Sequence, residues 1–431
     1  MQIEQQQAAR VVDSVQRGIA LDAALAAVDD GSPLRGRALV QELAYGTLRH
    51  WGTLDALARH LAVKPVSEPL LHALVSVALY QLDHTRAPAF AVVDRAVEAA
   101  AGLSRPAAKR WVNALLRRYL REKGALAATV RRDPVARWSY PRWWIARVKA
   151  DFPAEWESIL EAGNTRPPLT LRVNDRVATR PDLIAKFLEQ AITCMPAGES
   201  ALIVDPPRSV VELPGYAEGA FSVQDLGAQL AAPLLDVSEG MCVLDACAAP
   251  GGKTAHLLEL ADVSLTAVDR DAGRLGRLSA NLQRLQLGDR NVRVVHGDAR
   301  DPSKWWDARP FERILADVPC SSSGVVRRHP DGKWLRRPGD IAAFVRDQDR
   351  ILGALWPLLA HDGKLLYATC SVFKAENEAR IVDFLARHPD ALRETITFPL
   401  DAVHIGGQLL PSSSAAVHNQ DGFFYALLRK A

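Results

Sequence analysis

From about residue 222 onward, short apolar segments alternate with amphipathic helical patterns. A helix predicted at 222–237 leads into them, and a later helix carries Leu275, Leu278, Leu282 and Leu285 on a single face. The apolar segments are "MCVLDA" (241–246), "SLTAVDR" (264–270), "VRVVHGD" (292–298), "RILADVP" (313–319) and "KLLYATC" (364–370). Such alternation is typical of βαβ units and of a parallel sheet covered on both faces. It predicts an α/β, Rossmann-like domain that binds ligands at the carboxyl ends of its strands.

Two regions precede this domain. Residues 1–135 show helical spacing of leucines without alternating strand patterns, and we expect an all-α domain there. Residues 136–225 are predicted to be a linker and a small α/β module, with a β-like stretch at 164–174 and a helix at 181–191. The pattern does not indicate what this module does. Residues 226–431 then form the α/β domain.

Composition excludes several classes of protein. The chain has 431 residues and a formal charge of +3, so that any nucleic-acid binding depends on local basic clusters. Its first residues lack the apolar core of a signal peptide, and no uncharged stretch near them is long enough to span a bilayer. We therefore expect a cytoplasmic protein without a membrane partner. The five cysteines include no CxxC pair, which predicts free thiols and no metal site.

A glycine-containing turn follows the first predicted strand, in "DACAAPGGKT" (245–254). A phosphate-binding P-loop would need glycine where Cys247 stands, and the dinucleotide pattern GxGxxG is also missing. The remaining interpretation is a turn that binds a nucleoside cofactor. Gly251 and Gly252 would let the backbone approach the ligand, while the next helix presents free N–H groups to its carboxylate. By itself this turn is weak evidence.

Acidic residues end the next three predicted strands. Asp269 stands about 20 residues after the glycine turn, where an acidic side chain can bind both ribose hydroxyls. Asp298 and Asp317 end the third and fourth strands. Each of them alone is more often a turn or helix-cap residue. Together with the turn at one edge of the sheet, they favour S-adenosylmethionine as the cofactor.

Two cysteines occur at the same predicted edge. Cys320 lies in "DVPCSS" and Cys370 in "LLYATCS". Most free cysteines are small buried hydrophobic residues. A thiolate, however, can add to carbon 6 of a cytosine, which converts the ring to an enamine whose carbon 5 can accept a methyl group. One thiol could make this addition and the other could assist elimination, and the strand pattern does not say which.

Four stretches resemble one known family. They are "LDACAAPGGKT" (244–254), "DVPCSSSGVVRRHPDGKW" (317–334), "YATCSVFKAENE" (367–378) and "DGFFYALL" (421–428). They closely resemble the bacterial Sun/Fmu (RsmB) family, which methylates carbon 5 of cytosine 967 in 16S rRNA. The likeness runs from about residue 138 to the end, and residues 1–135 resemble the NusB-like RNA-binding domain of that family.

The resemblance implies a role for each site residue. Cys370 would be the nucleophile and Cys320 would act in release. The partner would be 16S rRNA, naked or in an early small-subunit particle, bound by a monomer without an obligatory protein partner. The cofactor pocket would be lined by Cys247, Ala248, Ala249, Pro250, Gly251, Gly252, Lys253, Asp269, Asp298 and Asp317.

Other functions fit the motifs less well. A DNA cytosine methyltransferase needs only one of the two cysteines. An adenine-N6 or cytosine-N4 methyltransferase would carry Asn or Asp followed by Pro-Pro-aromatic where this chain has "DVPC". A NusB-like RNA-binding scaffold with an inactive methylase fold would not need the cysteines, glycines and aspartates described above. We therefore predict an active enzyme.

A basic stretch follows the first cysteine. "VVRRHPDGKWLRR" (325–337) contains Arg327, Arg328, Lys333, Arg336 and Arg337. It could be a solvated basic loop. Its place in the sequence just after Cys320 favours contacts with RNA phosphates near the target base.

Overall fold

The computed structural model describes residues 1–29, 31, 34–62, 68–103, 108–398, 403–413 and 419–431. The chain divides into two compact units. The first, called here the helical unit, contains Met1–Thr165 and Val326–Pro338. The second, called the sheet unit, contains Arg166–Val325 and Gly339–Ala431. The sequence predicts three domains, with boundaries after residues 135 and 225, and this division into two units does not test them.

The helices fall in both units. They are α1 Gln2–Gln16, α2 Leu21–Val28, α3 Leu34–Arg49, α4 Trp51–Leu61, α5 Pro69–His84, α6 Ala89–Leu103, α7 Ala108–Val130, α8 Pro134–Trp138, α9 Arg142–Asp151, α10 Trp156–Ala162, α11 Arg180–Glu189, α12 Ala231–Leu235, α13 Gly252–Leu260, α14 Ala272–Arg284, α15 Gly332–Leu335, α16 Pro338–Leu355 and α17 Glu378–Arg387. None of the described helices is long and apolar enough to cross a membrane.

The strands among the described residues belong to the sheet unit. They are β1 Leu169–Val173, β2 Cys194–Ala197, β3 Ala201–Val204, β4 Phe221–Val223, β5 Cys242–Asp245, β6 Ser264–Asp269, β7 Val292–His296, β8 Phe311–Asp317, β9 Leu359–Thr369, β10 Ala391–Glu394, β11 His404–Ile405, β12 Gln408–Leu409 and β13 Phe423–Lys430. Among its described residues the helical unit contains helices and no strand, as predicted for the N-terminal region.

The core of the helical unit surrounds α1 and α5. In α5 a continuous run from Ala73 to Gln81 is buried, because this helix is apolar around most of its circumference. Trp334 and Leu335 of α15 also pack against this core, although they are far away in the sequence. The segment Val326–Pro338, called segment 326–338 below, is therefore part of the helical unit.

The small module forms an antiparallel sheet of order β2-β3-β1-β4. The predicted helix at 181–191 is α11, whose Leu183 and Phe187 pack against this sheet. The predicted helix at 222–237 is largely wrong. Ser222 and Val223 belong to β4, and the Asp225 carboxylate accepts the Gly227 N–H (2.8 Å) in a local turn. Helical structure therefore begins only with a 3₁₀ turn at Ala228–Leu230, which continues into the short α12.

The large sheet confirms the Rossmann-like prediction, but the prediction that the sheet is parallel needs a correction. β7, β6, β5, β8 and β9 are parallel neighbours in that order, but β13 lies antiparallel to β9. An apolar run such as "FFYALL" indicates a buried strand without indicating its direction. The carboxyl ends of the five parallel strands meet at one edge. This edge, with the loops that follow each strand, is called the catalytic edge below.

Candidate active site

The two predicted thiols meet at the catalytic edge. Cys370 directly follows β9, and Cys320 lies in the loop after β8, the parallel neighbour of β9. Because Asp317 is paired with Ala368 in the register of these strands, the two loops start side by side. The two Sγ atoms are 3.4 Å apart. Cys320 is buried and Cys370 is half-buried.

The thiols have opposite ionisation tendencies. A hydrogen bond from Cys320 lowers the pKa of Cys370, against the effects of burial and of the Asp317 charge. Ser322 and the Lys253 ammonium add smaller contributions to this lowering. The same hydrogen bond, together with burial, raises the pKa of Cys320 well above its ordinary value. Cys370 is therefore the thiol of the pair that ionises more readily.

The glycine turn has the predicted position at the start of α13. Gly251 has a φ of +99°, and a Cβ there would lie 2.8 Å from Leu278 Cγ, so that both conformation and packing require glycine. At Gly252, by contrast, a Cβ would meet only Gln224 Nε2 at 3.9 Å. Protein packing therefore does not explain the second glycine. An open backbone at this point fits the close approach of a ligand.

Asp269, the last residue of β6, connects this turn to the strand by hydrogen bonds. It is buried, with Oδ2 accepting the Ala249 N–H (3.0 Å) and Oδ1 accepting the Asp271 N–H (2.9 Å). Ala248 and Ala249 are buried beside it, whereas Pro250 is exposed. A carboxylate has about four acceptor sites, so Asp269 can still accept hydrogen bonds from two hydroxyls.

Two further acidic residues already have basic partners. The Lys253 ammonium donates to Asp317 Oδ2 (2.6 Å), and this carboxylate raises the pKa of Lys253 although burial opposes it. Asp298 forms a bidentate ion pair with Arg300, and the hydrogen bonds of this pair lower the pKa of the Asp298 carboxyl. The role of Asp298 in a cofactor pocket stays a prediction.

The catalytic edge also contains a buried acid and a third thiol. Asp245 is buried and accepts a hydrogen bond from Thr254 (2.7 Å), while its Oδ1 has no partner, and burial raises its pKa to about 7. Burial raises the pKa of Cys247 well above its ordinary value, and Asp317, Asp245 and Asp269 add to this effect. Cys247 is thus a protonated thiol in acidic surroundings. Such surroundings suit a ligand with positive charges.

Sequence reasoning missed Arg172, which links the small module to the glycine turn. Its buried guanidinium forms two hydrogen bonds with the Glu259 carboxylate (2.7 and 3.0 Å) and also donates to the Gly252 carbonyl (2.9 Å). Glu259 lies on α13, so Arg172 contacts both the start and the body of this helix. In the sequence Arg172 appears only as part of the β-like stretch "LTLRVN" (169–174), and nothing there indicates Glu259 as its partner.

Glu376 was missed as well, although it lies in the quoted stretch "YATCSVFKAENE". It is fully buried, and it accepts hydrogen bonds from Ser321 and Ser371, the residues that follow the two catalytic-edge cysteines. A glutamate in a polar stretch normally predicts an exposed side chain, and this expectation hides the site.

The basic stretch after Cys320 requires a correction. Lys333 is fully buried, where its Nζ donates to the Arg49 carbonyl (2.7 Å) and to Asn164 Oδ1 (2.7 Å). Burial, and then the Arg49 charge, lowers the pKa of Lys333 well below its ordinary value. Arg327 is also buried. The prediction that these two side chains contact RNA phosphates is therefore wrong, while Arg328, Arg336 and Arg337 remain candidates.

Family models match most of the chain. The model described as 16S rRNA methyltransferase RsmB/F matches residues 232–429. A model for the ferredoxin-like domain of RsmF/B-like methyltransferases matches residues 140–211, and the NusB family model matches residues 2–121. The predicted order of a NusB-like domain, a small α/β module and a methyltransferase domain is thereby confirmed.

Individual proteins are similar over the whole length. The chain is 41% identical over 435 residues to ribosomal RNA small subunit methyltransferase B of Vibrio cholerae, covering 100% of this chain and 98% of that protein. It is 44% identical over 433 residues to the protein of the same name from Pseudomonas putida, covering 98% and 97%. The crystal structure of a protein called PH0851 matches with a TM-score of 0.78 and 26% identity, covering 99% of each chain. The relatives match this chain over nearly its whole length, including the stretches that contain the two thiols and the glycine turn. The chain therefore belongs to the family of ribosomal RNA small subunit methyltransferase B proteins.

Proposed function

We propose that this protein methylates carbon 5 of a cytosine in 16S rRNA, at cytosine 967, through a covalent bond between Cys370 and carbon 6. Methylation of small-subunit rRNA is the activity named for its relatives. The observation that carries the finer proposal is the pair of thiols 3.4 Å apart, one with a lowered and one with a raised pKa.

The methyl donor is S-adenosylmethionine, which supplies an electrophilic methyl group when bound. The residues present fit it in two ways. The open backbone at Gly252 permits close approach, and the acidic surroundings suit its positive charges. We propose that it is held by the stretch Cys247–Lys253 with Asp269, Asp298 and Asp317.

Cys370 begins the reaction. Its thiolate adds to carbon 6 of the cytosine, and the electron pair of the 5,6 double bond becomes available at carbon 5 as an enamine. Lys253 assists, since its ammonium favours the thiolate form of Cys370. Asp317 keeps that ammonium charged by raising the pKa of Lys253.

Cys320 acts at the end of the reaction. After the methyl group is on carbon 5, loss of the carbon 5 proton restores the double bond while the bond between carbon 6 and Cys370 breaks. Cys370 then leaves as a thiolate. Cys320 remains a thiol because its pKa is raised, and its Sγ is 3.4 Å from the departing sulfur, so it can donate a hydrogen bond to the leaving group.

Bisulfite sequencing of small-subunit rRNA tests this proposal. RNA from cells with and without the gene is compared, because 5-methylcytosine resists conversion to uracil. We expect one protected cytosine, at position 967, that becomes convertible when the gene is deleted and is protected again when the gene is restored. Protection that is the same in both strains would refute the proposed base and atom.

A further inference from the structure

The loops that carry the two thiols share one buried carboxylate. We infer that Glu376 is a positioning residue that holds Cys320 and Cys370 in the arrangement needed for addition and release. The inference rests on the proposed function, because it concerns how the same two thiols are placed. Glu376 is not expected to touch the base or the cofactor.

The contacts of Glu376 reach both loops. Its Oε1 accepts the Ser321 N–H (2.8 Å), and its Oε2 accepts the hydroxyls of Ser321 (2.5 Å) and Ser371 (2.7 Å). Each serine directly follows one of the cysteines. A single carboxylate thus contacts the residue beside each thiol, through backbone and hydroxyl at Ser321 and through the hydroxyl at Ser371. The backbone carbonyl of Glu376 also accepts a hydrogen bond from Tyr367 (2.6 Å).

A second set of hydrogen bonds joins the loops directly. The hydroxyls of Ser323 and Ser371 are 2.9 Å apart, and Ser323 Oγ also accepts the Val372 N–H (2.9 Å). The Gly324 N–H donates to the Cys370 carbonyl (2.9 Å). The serines involved are buried. Buried polar networks of this kind are rigid when every member is satisfied, so loss of the shared carboxylate affects both loops together.

The charge of Glu376 has its own consequence. Burial raises the pKa of its carboxyl, whereas the hydrogen bonds to its two oxygens oppose this rise. Gln348 Nε2 also donates to Oε1 (3.2 Å), so the side chain faces donors from three residues, an arrangement that suits the ionised form. This negative charge is one of the causes that raise the pKa of Cys320. The Glu376 charge therefore adds to the larger effects of Cys370 and burial that favour the protonated form of Cys320.

Glu376→Gln tests the inference. The amide keeps the size of the side chain but replaces one acceptor oxygen by a donor that faces serine hydroxyls. Because small displacements of reacting groups cost on the order of 100-fold in rate, we expect kcat to fall by about that factor with KM for both substrates unchanged. We also expect alkylation of Cys370 by iodoacetamide to need a higher pH, since the hydrogen bond that lowers its pKa is weakened.

Glu378→Gln is the matched control. Glu378 lies two residues further on and pairs with Arg393 at the surface, so its loss leaves kcat and the alkylation profile unchanged. Ser371→Ala provides a second test if Glu376→Gln does not fold. It removes the hydrogen bond between Glu376 and the loop of Cys370, and we expect a smaller fall in kcat and a smaller shift of the alkylation profile. Normal kcat and a normal alkylation profile in folded Glu376→Gln or Ser371→Ala would overturn the inference. Wild-type protein that leaves cytosine 967 of 16S rRNA unmethylated would instead refute the proposed function.

Discussion

Lys253 at the catalytic edge and Lys333 in segment 326–338 both follow a glycine at the start of a helix, α13 and α15 respectively. Lys253 has a carboxylate partner in Asp317, at 2.6 Å, which raises its pKa. Lys333 has two neutral oxygen acceptors and the ring of Tyr140 below its Nζ at 4.3 Å, and its pKa is lowered. The same dipeptide therefore has opposite electrostatic roles.

The comparison extends to the motif that contains Lys333. In "DVPCSSSGVVRRHPDGKW", the residues up to Val325 belong to the sheet unit, and those from Val326 on belong to the helical unit. The first part supplies Cys320 and Asp317 to the catalytic edge. The second part supplies Lys333 and Trp334 to the helical unit, where Trp334 Nε1 donates to the Leu48 carbonyl (2.8 Å). One continuous motif thus has a chemical part and a structural part.

The largest expected effect is at the two thiols of the catalytic edge. Cys370→Ala removes the nucleophile, so we expect no methylation and no covalent RNA adduct. Cys320→Ala still permits addition and methyl transfer, and we expect a protein–RNA conjugate that survives a denaturing gel. The gel uses labelled RNA with S-adenosylmethionine, and Cys194→Ala, in β2 of the small module, is the control. An adduct from Cys370→Ala but not from Cys320→Ala would reverse the two roles.

A smaller effect is expected at Asp269, whose role is binding. If its carboxylate holds the ribose hydroxyls, Asp269→Ala loses two charge-assisted hydrogen bonds of roughly 1.5–3 kcal/mol each. The backbone N–H groups of Ala249 and Asp271 also lose their acceptor. We expect affinity for S-adenosylmethionine, measured by calorimetry, to fall by about 100-fold or more, since the two bonds together contribute at least about 3 kcal/mol. Unchanged affinity would remove Asp269 from the pocket.

The two lysines predict different pH dependence of stability. The unfolded pKa of lysine is about 10.4, and the folded pKa of Lys333 is lower, so its contribution to stability is lost as pH falls from 10.4 toward the folded value. Relative to Lys333→Met, wild-type protein therefore gains stability as pH rises in that window, by up to about 1.4 kcal/mol per pH unit. Urea denaturation at pH values from about 7 to about 10 measures this slope.

Lys253→Met is the matched control for that slope. The folded pKa of Lys253 is raised, so its contribution is fully present below about pH 10.4 and is lost only as pH rises through the folded value. We therefore expect the stability difference between wild type and Lys253→Met to stay constant over the range in which Lys333→Met changes. Equal slopes for the two variants would contradict the comparison.

The smallest expected effect concerns the arginines of segment 326–338 that are not buried. If Arg336 and Arg337 bind RNA phosphates, replacing both by alanine lowers the log–log salt slope of RNA binding by about 0.7–0.9 for each phosphate that is no longer neutralised. Filter binding at several salt concentrations measures this slope. An unaltered slope would leave segment 326–338 with a structural role alone.

Sequence reasoning located most of the catalytic edge. Cys320, Cys370, Asp269, Asp298 and Asp317 each follow or end an apolar strand, and parallel strands necessarily bring their carboxyl ends together. The antiparallel direction of β13 could not be predicted, because a fully buried strand has the same composition in either direction. The predicted helix at 222–237 failed because its first residues belong to β4 and the Asp225 carboxylate then accepts the Gly227 N–H in a turn.

The sequence by itself determined the fold class, the family and the positions of the two thiols, because strand periodicity and the motif residues are local properties of the chain. Only the tertiary structure decided which buried side chains are hydrogen-bond or ion-pair partners. Glu376, Arg172 and Lys333 carry the same charges in the sequence as any exposed residue of their types. Their roles follow from partners that lie 55, 87 and 284 positions away, and burial strengthens such interactions by lowering the local dielectric.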